Sequence, residues 1–245
     1  MQAYVAGVAP SEGQEWAGHE NSIIVFFAGC NFRCPYCYNS SILGFSDEFL
    51  VDTRDVKLKI SEILNSNRKS GQSRIDSVIF TGGEPLLQRQ ALLSVARFCR
   101  LNGLKIRIET NGSKPNALRS LLAEGLVDSV VLDLKSPPEE SVFEALTRSA
   151  TFFKQPAEII KEITSSIELL RSEEDDIDIE FRTVIQPGLG VIKDLLKIAD
   201  WIGNTNCVWR ILPAEGEKLP LTIESFRGLI PRIEEHYPQM KIKIG

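Results

Sequence analysis

Short apolar runs alternate with longer amphipathic stretches along most of the chain, and this alternation narrows the fold more than any other feature. The runs that read as strands are residues 22–28, 77–80, 104–109, 129–134, 177–185 and 207–212. Between them lie residues 53–67, 86–101, 116–124, 158–171, 192–202 and 223–236, which read as helices. In the fifth of these, Leu195, Ile198, Ala199 and Ile202 recur at helical spacing. Short, almost wholly apolar strands are those of a sheet covered on both faces. Strand–helix alternation implies parallel βαβ units with right-handed crossovers. Six such units in 245 residues, with no Gly/Ser-rich linker and no internal repeat, predict a single α/β domain over residues 1–245, a partial (βα)6 TIM-like barrel. Residues 237–245 form its tail, in which Lys and Ile alternate from Met240 as in an edge strand.

Parallel strands present ligands at their C-terminal ends. Polar residues of unusual kinds do follow each run. Cys30, Cys34 and Cys37 follow the first, Thr81-Gly82-Gly83-Glu84-Pro85 the second, and Glu109-Thr110-Asn111-Gly112 the third. Asp133-Leu134-Lys135 closes the fourth. Glu180 and Arg182 lie on the fifth, and Arg210 on the sixth with Glu215 beyond it.

The cysteines carry the sharpest chemistry. Three fall in the eight residues from Cys30 to Cys37, within a loop spanning residues 29–39. A closed zinc site would take a fourth ligand, yet His19 lies eleven residues upstream and the other histidine is His236. Zinc ligands also come more often as separated pairs than as one tight triplet. Disulfides are disfavoured by an odd total of five cysteines. Residues 1–20 lack the cationic start and apolar core of a secretory leader, so a cytoplasmic protein is expected. A cubane cluster of four irons is normally held by four thiolates, so three leave one iron open to a non-protein ligand. The longest apolar run, residues 23–28, is too short for a bilayer, and the net charge of −5 disfavours a nucleic-acid-coating surface.

The other groups each have two readings. Gly82-Gly83-Glu84-Pro85 is a strand-to-helix turn with an early proline, or a backbone cradle with a carboxylate for an ammonium. Asn111-Gly112 is a turn signal, while Glu109 and Thr110 before it could bind ribose hydroxyls or a cation. Asp133 and Lys135, two apart, share a face and form an ion pair or a ligand contact. Arg182 suits a carboxylate in a bidentate fork, or pairs with Glu180.

Cysteines spaced by three and then two residues, with Tyr36 before the last, resemble the signature of the radical S-adenosylmethionine superfamily. The resemblance implies the barrel of that superfamily and two cofactors, a 4Fe-4S cluster on Cys30, Cys34 and Cys37 and S-adenosylmethionine at the open iron. It implies that Gly82, Gly83 and Glu84 receive the amino group of the methionine part, that Glu109 binds ribose hydroxyls or helps to hold a cation, and that Tyr36 and Asn111 also belong to the cofactor site. Asp133 and Lys135 would then contact ribose or carboxylate, and Arg182 a carboxylate. Reductive cleavage would give methionine and a 5′-deoxyadenosyl radical that removes hydrogen from a substrate.

The runs Glu109-Thr110-Asn111-Gly112-Ser113-Lys114-Pro115, Glu124-Gly125-Leu126-Val127-Asp128, Asp133-Leu134-Lys135-Ser136-Pro137 and Glu180-Phe181-Arg182-Thr183 look most like activating enzymes of anaerobic ribonucleoside-triphosphate reductase. That likeness implies a glycyl-radical enzyme as partner and a flavodoxin or ferredoxin-type electron donor, with no nucleic acid and no membrane. Two departures stand out: Tyr38 follows the triplet where His or Lys is commoner, and the approach to the first strand keeps only Trp16 and Gly18 of the usual pattern. A second enzyme class, 7-carboxy-7-deazaguanine synthase, fits Gly82–Gln88 and Glu109–Gly112 but carries Ser-Pro-Lys where this chain has Asp133-Leu134-Lys135. A plain iron–sulfur electron carrier would need no ring of polar residues. Cys99 and Cys207 read as core, so an auxiliary cluster is not expected.

Overall fold

The computed structural model describes residues 1–11, 21–70, 74–186, 189, 191–213 and 223–244. Trp16, Gly18 and His19, the Pro187-Gly188 pair and Glu215 lie outside the described residues. The chain forms two compact units. The first comprises Met1–Asn31, Asn39–Thr110 and Asn116–Ser129, and the second Phe32–Tyr38, Asn111–Pro115 and Val130–Gly245.

The first unit carries strands β1 (Gln2–Pro10), β2 (Ser22–Phe27), β3 (Leu50–Asp52), β4 (Ser77–Gly82) and β5 (Lys105–Thr110), with helices α1 (Thr53–Ser70), α2 (Arg89–Leu101) and α3 (Pro115–Ala123). Its strand order is β3-β1-β2-β4-β5. From β2 to β5 the pairing is parallel, as expected, with Val25 opposite Phe80 and Phe80 opposite Ile108. The antiparallel strands β1 and β3 were not expected. β1 reads Gln-Ala-Tyr-Val-Ala-Gly-Val-Ala-Pro, poor in branched residues and broken by a register shift between Val5 and Gly7. Its β signal is therefore weak. The helix read from residue 86 is divided: a 3-10 turn takes Pro85–Gln88 before α2 begins.

The two faces of this sheet differ in chemistry because side chains alternate along each strand. Ile23, Val25, Phe27, Val78, Phe80, Ile106 and Ile108 share one face and are all buried. α2 packs on β5, burying Leu92, Val95, Ala96 and Cys99. The other face carries Ser22, Ser77, Thr81, Arg107 and Glu109, and the two serine hydroxyls meet at 2.7 Å.

The second unit carries β6 (Ser129–Asp133), α4 (Glu140–Thr147), α5 (Pro156–Ser172), β7 (Asp178–Ile185), α6 (Val191–Ile202), β8 (Cys207–Pro213), α7 (Ile223–His236) and β9 (Met240–Ile244). Its strands run β6-β7-β8-β9, with β8 parallel to both β7 and β9. Phe181 and Trp209 are side by side and fully buried, and the indole N–H donates to Thr183 Oγ1 at 3.0 Å. Burying side chains of this size stabilises by about 1.5–3 kcal/mol each. The opposite face carries Glu180, Arg182 and Arg210. Leu195, Ile198, Ala199 and Ile202 of α6 are all buried, as their spacing predicts. Among the described residues no helix is long and apolar enough to cross a membrane.

Candidate functional site

In the first unit the end of β2 and the end of β4 are joined backbone to backbone. Gly83 N–H donates to Phe27 O at 2.8 Å and Glu84 N–H to Gly29 O at 2.8 Å. Both glycines are needed for this approach. A Cβ on Gly82 (φ +116°) would lie 2.2 Å from Phe27 O, and one on Gly83 would lie 2.2 Å from Gly29 O. Glu84 is fully buried. Its carboxylate accepts from Leu86 N–H at 3.0 Å and from the Thr110 hydroxyl at 2.8 Å, which closes the turn that Pro85 begins. The turn reading is thus realised in full, and Glu84 acts inside it.

Two amides secure this corner. Gln88 accepts from Tyr4 N–H at 2.7 Å and donates to Tyr4 O at 2.9 Å and Ala28 O at 3.0 Å. Asn39, past the cysteines, donates to Gly82 O at 2.9 Å. The cysteine loop leaves β2 through Gly29 N–H to Ile42 O at 2.8 Å and Cys30 N–H to Leu43 O at 3.1 Å. Gly83→Ala is expected to cost about 1–3 kcal/mol, because the clash is with a fixed carbonyl and overpacking of this kind is relieved only by moving backbone. Urea unfolding of the two proteins side by side measures it; an unchanged midpoint would show that the corner yields.

Glu109 at the end of β5 is buried. It accepts from Thr81 Oγ1 at 3.1 Å and faces Arg107 Nε at 3.6 Å. Arg107 was not singled out from the sequence. The alternation Lys105-Ile106-Arg107-Ile108-Glu109 was the signal that could have found it, since it puts Arg107 on the face of Glu109.

The second unit gathers Cys34, Asp133, Lys135 and Arg182. Arg182 Nε donates to Asp133 Oδ1 at 2.6 Å, and Lys135 Nζ donates to Asp133 Oδ2 at 3.1 Å. Arg182 therefore pairs with Asp133, while Glu180 takes Arg210 at 3.1 Å. Leu134 N–H donates to Arg182 O at 2.8 Å, which fixes the two strands at that level. Burial works against ionisation of Asp133, but Arg182 and Lys135 outweigh it and hold the carboxyl well below the usual carboxylate range. Lys135 is also desolvated, yet Asp133 and then Cys34 raise its pKa. The Cys34 thiol is pushed up by burial, and Lys135 pulls it back down. Tyr36 is exposed. Asn111 Oδ1 accepts from Ser113 N–H at 3.0 Å and from the Ser113 hydroxyl at 2.6 Å, as an Asn turn does.

All five cysteines are free. Cys99 and Cys207 are buried, and desolvation pushes both thiols up to about 12. Cys30, in the first unit, and Cys34 and Cys37, in the second, are half-buried. Among the described residues no group of three or more His, Cys, Asp or Glu is already gathered for a metal ion. The chemistry of the donors nevertheless fits an iron–sulfur cluster: three half-buried soft sulfurs on one short loop, and no histidine among the described residues of that loop.

A family model described as the Radical SAM superfamily matches residues 24–200. A protein of Methanocaldococcus jannaschii named as a glycyl-radical enzyme activating enzyme is 27% identical over 244 residues, 97% of this chain and 94% of that one. The 7-carboxy-7-deazaguanine synthase of Clostridium acetobutylicum is 32% identical over 161 residues, 64% of this chain and 65% of its own. The crystal structure of a radical SAM methyltransferase from Sphaerobacter thermophilus superposes with a TM-score of 0.60 at 14% identity, covering 91% of this chain and 66% of that one. The last likeness bears on the fold alone: α/β, of the partial TIM-like barrel class.

Proposed function

The chain belongs to the radical SAM superfamily, an enzyme family whose cofactors are a 4Fe-4S cluster and S-adenosylmethionine, and from that premise we propose that it activates a glycyl-radical enzyme by removing one glycine hydrogen. The observation that carries this reading is the match to the activating enzyme along 97% of the chain. When bound, the two cofactors supply a 5′-deoxyadenosyl radical by one-electron cleavage of the sulfonium. The residues of the chain bind and aim. Cys30, Cys34 and Cys37 hold the cluster. The Gly82-Gly83 turn presents backbone to the amino group, while Glu84, sealed beneath it, positions that turn by its bonds to Leu86 and Thr110. Glu109 and Asn111 serve the ribose side. Arg182 and Lys135, aligned by the shared Asp133, present positive charge to the carboxylate.

The partner we favour is the large subunit of an anaerobic ribonucleoside-triphosphate reductase. The electron donor is of flavodoxin or ferredoxin type, the setting is cytoplasmic, and residues 1–245 work as one radical SAM domain. A second reading, synthesis of 7-carboxy-7-deazaguanine, draws on the higher identity of the shorter match. Anaerobic reconstitution followed by dithionite and S-adenosylmethionine is expected to release 5′-deoxyadenosine. Adding the purified reductase is expected to produce the paramagnetic doublet of a glycyl radical. Nucleoside release with no radical on the reductase would remove the activase reading.

A further inference from the structure

Phe152 and Phe153 are the most exposed large apolar residues described, at 92% and 89% of their surface. They occupy both central positions of a two-residue turn. Thr151 N–H donates to Lys154 O at 2.9 Å and Lys154 N–H to Thr151 O at 3.3 Å. Such turns usually place Gly, Asn or Asp there. Two adjacent phenylalanines give up local turn preference and expose aromatic surface to water, a conflict expected where function overrides folding.

The turn is held firmly. Arg148 ends α4 in the left-handed region (φ 45°), where a side chain costs roughly 1–2 kcal/mol. Glu144 accepts from Ser149 N–H at 3.1 Å and Ala150 N–H at 2.9 Å. Lys154 pairs with Glu162, and Gln155 donates to Thr151 O at 3.2 Å before capping α5. The rings rest edge to face with centroids 5.1 Å apart. Each phenylalanine has only two side-chain torsions to fix and the backbone turn is already bonded, so the pair loses little entropy on docking.

The same segment carries the cysteine loop. Phe143 of α4 packs edge-on against Phe32 at 5.8 Å, and Arg33 N–H donates to Thr147 O at 2.8 Å. Phe32 and Arg33 precede Cys34. One short helix thus links an exterior aromatic tip to the residues leading into the thiols.

We propose that Phe152 and Phe153 form the anchor by which the enzyme grips a macromolecular substrate, a large protein whose surface offers an apolar cleft; this rests on the activase reading above. Size and charge select this occupant. The pair presents roughly 300–500 Å², the size of an anchor within a wider contact and too little to serve alone as the ~800 Å² seam of a stable dimer of this chain. Arg148 and Lys154 flank the turn, but Lys154 is taken up by Glu162, and Glu144 and Glu158 stand beside it; with a net charge of −5 there is, among the described residues, no cluster of free basic residues here of the kind an anionic membrane selects. A small substrate needs no exterior anchor.

The test uses reconstituted enzyme, its F152A/F153A and F152L/F153L variants, and the purified reductase large subunit as probe. Sedimentation gives Kd, and 5′-deoxyadenosine release without the probe reports the cofactor site. The alanine pair is expected to bind about tenfold more weakly or worse, with leucine intermediate and nucleoside release unchanged. Equal Kd for all three overturns the proposal, as does failure of the unaltered enzyme to bind. Self-association, or flotation with phosphatidylcholine–phosphatidylserine vesicles, that is lost only in the alanine pair also overturns it in favour of a second copy or a lipid surface. Phenylalanine-dependent binding without a glycyl radical sinks the activase chemistry and leaves the anchor standing.

Discussion

Alanine at Cys30, Cys34 or Cys37 is expected to abolish iron incorporation and S-adenosylmethionine cleavage while leaving the fold intact. The three side chains are half-buried and sit in a loop, so little packing is lost with each sulfur. The loop is held by backbone bonds at Gly29, Cys30 and Cys37 and by the Asn39 amide, none of which uses a thiol. A cubane that already lacks one protein thiolate has no spare ligand to give up. Alanine at Cys99 or Cys207 should do the reverse. Those thiols are buried, so truncation costs about 1–2 kcal/mol of stability, while iron content stays at the native level. Iron analysis, the visible spectrum and thermal unfolding on all five variants decide the matter. A cubane spectrum surviving in one of the loop variants would strike that residue from the ligand set.

The parallel strands were legible because they are short, apolar and separated by helical periodicity. So was the placement of chemistry, since Glu109, Asp133 and Arg182 all lie on the strand faces that carry polar side chains. What stayed hidden depends on partners distant in sequence. Glu84 reads as a ligand for an ammonium, and only the fold brings the Thr110 hydroxyl onto the same carboxylate oxygen that caps Leu86 N–H in the local turn. Glu180 was the natural partner for Arg182 within one strand. Register with β8 instead gives Glu180 to Arg210 and frees Arg182 for Asp133 on β6. The glycines were read as room for a ligand, and the structure adds a cause that needs none: the two strand ends would collide through any Cβ. β1 escaped because Ala, Gly and Pro, all weak in strands, make up much of it, and pairing with β2 makes it a strand. The aromatic turn escaped because turn chemistry predicts polar residues there.

Asp133→Asn should lower stability by about 2–3 kcal/mol, since it strands two cations on a part-buried face; removing one partner of a well-buried pair costs about 3–5 kcal/mol. Arg182→Ala should cost less, because Asp133 keeps Lys135, but it should weaken S-adenosylmethionine binding with iron content unchanged. The double variant recovers part of the loss if the 2.6 Å contact is the coupling, and a double-mutant cycle extracts it. The pH dependence has a definite sign. In the unfolded chain Asp133 takes up its proton near pH 4, whereas in the folded protein Arg182 and Lys135, acting against burial, hold the carboxyl charged to well below that. The folded form therefore binds fewer protons through this window. The contribution is complete at neutral pH and drains away as the pH falls below about 4. Urea unfolding at neutral pH and at successively lower pH should show a shallower acid limb for Asp133→Asn than for the native protein. Parallel limbs, or a neutral-pH loss under ~0.5 kcal/mol, the range of an unremarkable surface change, would mean that the three charges are solvated separately and do not act together on the cofactor.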